Sequence, residues 1–186
     1  MIRLILRALN APILISLVIL GIALQTSVFN AWPAFYFQPD AVLWVTIWCA
    51  LKRSFEEGAC IVLIIAEIAE IHSAAPQGTW MLCYMGVFLI LRAVSQFTLI
   101  PTFFSYTNVT LCSFLVLKIS HFFVLNLLSS TVNYHHLSLI STTAAVETLV
   151  APWIYRYLHR LDLLTFKNLQ AARNTEENFD LNMEGL

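Results

Sequence analysis

The sequence predicts an all-α integral membrane protein folded as a six-transmembrane-helix bundle, and three observations carry that expectation. Of the 186 residues, 59% are hydrophobic and 11% charged, with a mean hydropathy of +0.76, too apolar for a chain that must cover its surface with groups water can solvate. The apolar residues come in long runs without strict alternation, which suits helices and not the dyad repeat of a membrane barrel. Basic residues fall in every second gap between those runs, as they do in the cytoplasmic loops of multi-span proteins.

The first span is expected over residues 11–29, after Arg3 and Arg7. A charged start before an apolar run also matches a signal peptide, with Asn30-Ala31 mimicking a cleavage site, but the run is long for an h-region and further spans follow. The second span, 34–51, is interrupted near its start by Pro39-Asp40, where Asp40 suits a helix N-terminus, and carries Trp44 and Trp48 on one face. That pair reads as packing or lipid contact. Lys52-Arg53-Ser54-Phe55-Glu56-Glu57 then leads to Gly58. The third span, 58–72, is about 22 Å long at roughly 1.5 Å per residue, short of a hydrocarbon core of about 30 Å. Such a helix is expected inside a bundle or where the bilayer thins.

A Pro76-Gln77-Gly78 turn leads into the fourth span, 78–95. The fifth is placed at 108–130 and the sixth at 138–158, with Pro101 and Ser105-Tyr106-Thr107-Asn108 marking the connection before the fifth. Residues 1–161 are expected to form one membrane domain. From 162 to 186 the composition turns polar and loses periodicity, so a disordered cytoplasmic tail is expected there.

Orientation follows from charge. With both termini cytoplasmic, Arg3, Arg7, Lys52, Arg53, Arg92, Arg156, Arg160, Lys167 and Arg173 all face the cytoplasm, and only Lys118 stands apart. Trp32, Phe35, Tyr36, Phe37 and Trp80 form an aromatic belt at the other edge, and His135-His136 a solvated pair in an outer loop.

Polar residues inside apolar runs are where function or fold specificity is expected, because an acidic group at a helix centre costs about 2.5 to 3.5 kcal/mol on insertion scales. Glu67 and Glu70 lie one turn apart on the third span, Lys118 and His121 share a face of the fifth, and Glu147 lies on the sixth. The reading favoured here is a buried ion-pair and hydrogen-bond cluster that fixes which helices touch. A proton or cation relay, or a substrate pocket, is the functional counterpart, with Glu67 and Glu70 titrating as a coupled pair. A metal site from Glu67, Glu70, His72 and His121 has no HExxH or compact Cys/His spacing behind it, so no metal and no cofactor are expected. Cys49, Cys60, Cys83 and Cys112 are scattered singly and indicate neither disulfides nor zinc. No GxSxG, GxxxxGK[ST] or GxGxxG occurs, no catalytic residue is identified, and a net charge of −1 suggests no nucleic acid.

The order of these features resembles the bacterial rod shape-determining protein MreD family. Pro39-Asp40 opens the second span as in that family, Gly58 precedes a short third span, and Glu70, Pro76 and Gly78 stand where the family has an acidic residue, a Pro and a Gly eight positions on. In the sixth span Thr142-Thr143, Glu147, Pro152, Trp153, Tyr155 and Arg156 follow the family's shape. Two positions depart from it: Glu70 replaces the usual Asp, and Glu147 stands where Asn is common.

The resemblance implies a fold similar to the S-component of an energy-coupling-factor (ECF) transporter. It also implies a non-enzymatic inner-membrane role in cell shape and lateral-wall elongation, the elongasome. There the protein would bind a single-span MreC-like partner amid membrane lipid and couple MreB filaments, indirectly, to the RodA and penicillin-binding-protein synthases of peptidoglycan synthesis. Two alternatives stand beside it. One is the substrate-binding subunit of an energy-coupling-factor vitamin transporter, against which the first span lacks a small-residue AxxxA face. The other is a proton-coupled carrier using Glu67, Glu70, Lys118 and Glu147, for which no inverted repeat is found.

Overall fold

The computed structural model describes residues 2–28, 38–95, 103–128 and 137–165 and folds them into six α-helices, with no strand among the described residues. In chain order these are α1 (Ile2–Ser27), α2 (Ala41–Lys52), α3 (Phe55–Ile71), α4 (Thr79–Ser95), α5 (Phe103–Leu128) and α6 (Leu137–Leu164). Local chemistry sets several boundaries. Asp40 has an extended backbone and its carboxylate accepts the Leu43 N–H at 3.0 Å, so α2 starts one residue after the Pro39-Asp40 pair. Gly78 turns the chain into α4 with φ +90°, a conformation that a side chain would strain. Pro12 and Pro152 each withdraw one backbone donor from α1 and α6 without ending the helix.

α2 is the centre of the bundle. It packs against all five other helices, and Val42 through Ala50 is buried without a break, as expected of a helix that is apolar all round. Trp44 and Trp48 are both buried in this core, and Trp48 stacks on Tyr155 of α6 at 6.0 Å, which stacks in turn on Tyr106 of α5 at 4.7 Å. Around α2, the helices α3, α4, α5 and α6 pack in sequence order, and α1 lies against α2 and α3.

Among the described residues, two stretches, Ala8–Ser27 in α1 and Tyr106–Leu127 in α5, are long and apolar enough to cross a membrane. α2, at 12 residues and about 18 Å by helical rise, and α4 are apolar but shorter. The helices differ from the expected spans in ways that have local causes. α1 begins at Ile2, well before residue 11, and α2 at Ala41, after its cap, instead of 34. α6 does not stop at Leu158 but runs to Leu164, with the Thr165 N–H still bonded to the Leu161 carbonyl at 3.0 Å. Asp162 and Thr165 are buried in the bundle, so the folded part of the chain passes the expected boundary at 161. The rest of the polar tail, His135-His136, Pro101 and the aromatic set from Trp32 to Phe37 lie outside the described residues.

Candidate functional site

Polar side chains gather at the two opposite ends of the bundle. At one end α1, α3 and α5 finish and α2, α4 and α6 begin, and there Asp40 is the hub. Its Oδ1 accepts the Leu43 N–H, its Oδ2 accepts the Tyr84 hydroxyl at 2.8 Å, and its own backbone N–H donates to Glu147 Oε1. Gln25 on α1 donates to the Pro39 carbonyl, so the Pro-Asp pair is held from α1, α4 and α6 at once.

Glu70 performs a related task across the α3–α4 turn. One carboxylate oxygen accepts the Gly78 N–H and the other the Met81 N–H at 3.1 Å, the donors that the start of α4 leaves without partners inside the helix. Ser73 Oγ accepts the Trp80 indole N–H at 2.6 Å and the Ala75 N–H at 2.9 Å, which fixes the same turn. Trp80 then stacks on Tyr84 at 5.6 Å and on His121 at 4.6 Å. His72 Nδ1 lies 2.8 Å from the Ile68 carbonyl, a geometry in which the ring nitrogen donates.

Between these groups is a cavity of about 250 Å³, whose lining includes Gln25, Asp40, His72, Trp80, Lys118 and Glu147. Lys118 has its ammonium 5.1 Å from the centre of the Phe114 ring. It lies within electrostatic range of Asp40 and Glu147 but makes an ion pair with neither. Glu147 is 1% exposed, and its Oε2 meets no hydrogen-bond partner among the described residues. The Trp44 indole interacts with this carboxyl, though its Nε1 makes no well-formed hydrogen bond among the described residues.

The five residues expected to form one polar core are therefore distributed. Glu147 and Lys118 meet at the cavity, Glu70 caps α4, and His121 packs on Trp80. Glu67 does not join them. It is exposed, because the buried face of α3 runs through Gly58, Ile61, Val62, Ile65, Ala66 and Glu70, and Glu67 follows Ala66 by about 100° of helix rotation. Its neighbours on the outside are Leu63, Ile64 and Ile71, all exposed. Among the described residues no three His, Cys, Asp or Glu side chains are grouped to hold a metal ion.

The family-motif positions mostly have visible tasks. Pro39, Asp40, Glu70 and Gly78 build the end just described; Pro76 supplies the carbonyl that accepts the Thr79 N–H at 3.2 Å. Gly58 sits where a Cβ would come 3.0 Å from the Phe88 ring and 3.2 Å from the Cys49 carbonyl oxygen. Pro152 is buried within α6.

The opposite end holds a cluster that the sequence reading missed. Arg53 is buried and pairs with Asp162 Oδ1 at 2.5 Å, while its Nη2 also donates to Asn10 Oδ1 at 2.6 Å. Asn10 Nδ2 returns bonds to Asp162 at 3.0 Å and to Thr165 Oγ1 at 2.6 Å. Arg92 donates to the carbonyls of Ala50 at 3.2 Å and Arg53 at 2.9 Å, tying α4 to the end of α2. The signal available was Asn10 itself, an amide embedded between Leu9 and Ala11 in an apolar run. Comparison with known proteins finds no family model, no curated protein and no solved structure that matches this chain.

Proposed function

We propose that this chain is a six-span bundle of the bacterial inner (cytoplasmic) membrane, with both termini cytoplasmic, acting as a non-enzymatic scaffold of the MreD type in lateral-wall elongation. The observation that carries the reading is what the motif residues do. Asp40 and Glu70 have both carboxylate oxygens occupied by backbone N–H groups or the Tyr84 hydroxyl, and Gly58 and Gly78 serve a close contact and a turn. Groups so engaged hold helices in place and leave little freedom for chemistry.

The surface supports embedding in lipid. Leu20 at 58%, Leu127 at 84% and Leu149 at 73% exposure belong to a set of exposed aliphatic and aromatic side chains distributed over several helices, where a soluble domain would show charge. Charge sorting supports the orientation. Lys52, Arg53, Arg92 and Arg160 lie toward the end away from the cavity, which is the cytoplasmic end on this reading. The cavity then faces the outer half of the bilayer.

Tagged protein drawn from its own membranes in mild detergent is expected to retain a single-span MreC-like protein and the wall synthases, identified by mass spectrometry. Recovery of two ATPase subunits with a transmembrane coupling subunit would replace the scaffold with vitamin uptake.

A further inference from the structure

We propose that the cavity bounded by Asp40, Trp80, Lys118 and Glu147 is a binding site for a small zwitterion carrying one ammonium and one carboxylate, the chemical class of the α-amino acids. The inference stands apart from the scaffold reading, since it rests on the cavity alone. Its volume of about 250 Å³ equals the share of about eight waters at roughly 30 Å³ each, room for a molecule of that class and below the usual range of drug-sized pockets.

Two groups in the lining have unused capacity, and they are of opposite kind. Lys118 presents an ammonium with three donors and no ion-pair partner among the described residues. Glu147 presents Oε2, buried and without a hydrogen-bond partner among the described residues, while its Oε1 is held in place by the Asp40 N–H. A buried charge or carboxyl oxygen left so is costly unless something meets it. An anion alone would satisfy Lys118 and leave Glu147 Oε2 unmet; a cation alone would do the reverse. A zwitterion meets both with no net change in charge. Trp80, Tyr84 and Phe114 line the same space and supply flat apolar surface for a carbon skeleton and ring faces for an ammonium. Asp40 stands on the cavity wall with both oxygens already engaged.

The test uses the full chain purified in mild detergent, titrated calorimetrically with each proteinogenic amino acid and, as half-ligands, with acetate and methylammonium. At least one amino acid is expected to bind saturably while the half-ligands do not, and Lys118→Gln is expected to weaken that binding at least about tenfold. Ala69→Leu, on the cavity wall, should abolish it by filling the space. No binding by any amino acid overturns the proposal, as does equal binding of acetate or methylammonium, or binding unchanged in both variants. Should neither variant fold, a photoactivatable amino acid crosslinked to the wild-type chain must attach to the cavity-lining peptides; attachment elsewhere overturns it.

Discussion

Glu70 illustrates how a single carboxylate in an apolar setting finds its partners. The nearest expectation is a cation, yet its two oxygens take the Gly78 and Met81 N–H groups at the start of α4. Charge-assisted bonds to backbone donors are stronger than neutral ones, and removing the acceptor leaves buried donors without a partner. Glu70→Ala is expected to destabilise the protein by about 1 to 3 kcal/mol, and Glu70→Gln by less, because an amide still offers one acceptor. Thermal unfolding followed by tryptophan fluorescence in mild detergent measures both. An unchanged midpoint in Glu70→Ala would refute the capping role. This residue was identified from sequence, with its neighbours Pro76 and Gly78, because the acid, the turn and the next helix lie within a dozen positions. Its partner was not, since a carboxylate next to Lys118 in composition is equally consistent with an ion pair.

At the scale of the element, α3 turns on Gly58 and on the rotation of the helix about its axis. The buried face includes Gly58, which lets α3 approach α2 and α4 so closely that any Cβ would press on Phe88 and on the Cys49 carbonyl. Gly58→Val is expected to cost about 1 to 3 kcal/mol through overpacking. Phe88→Leu removes part of the obstruction, so the double variant should lose less than the sum of the two single losses; strict additivity in the melts would place the strain elsewhere. The same rotation explains Glu67. The spacing of Glu67 and Glu70 puts them on one side of a helix, and only the packing of α3 against α2 and α4 decides that the edge of that side bearing Glu67 stays outside.

For the molecule as a whole, the Arg53–Asp162 pair joins segments 109 residues apart, and Asn10 ties α1 to both. The two ends of the described chain are thus locked to the α2–α3 connection at the end opposite the cavity. Breaking a buried pair by removing one member costs about 3 to 5 kcal/mol, because the remaining charge loses its close counter-ion; among the described residues, Asp162→Leu leaves Arg53 only the half-exposed Glu57 at 4.0 Å. Arg53→Met and Asp162→Leu are each expected to lose that much, and the double variant markedly less than their sum. Equal and additive losses in a double-mutant cycle would mean the two charges are not coupled.

What the sequence by itself determined is whatever acts over a few residues: an all-helical chain, the cap at Asp40, the reversal at Gly78, and an α2 apolar on every face. Those follow from spacing, caps and backbone freedom, which are local. Which face of α3 is covered, which acceptor Arg53 chooses, and that Lys118 and Glu147 face one cavity were decided only by tertiary structure. Each depends on helices distant in sequence, and a buried charge is satisfied by whatever the packing brings within reach, not by what precedes or follows it in the chain.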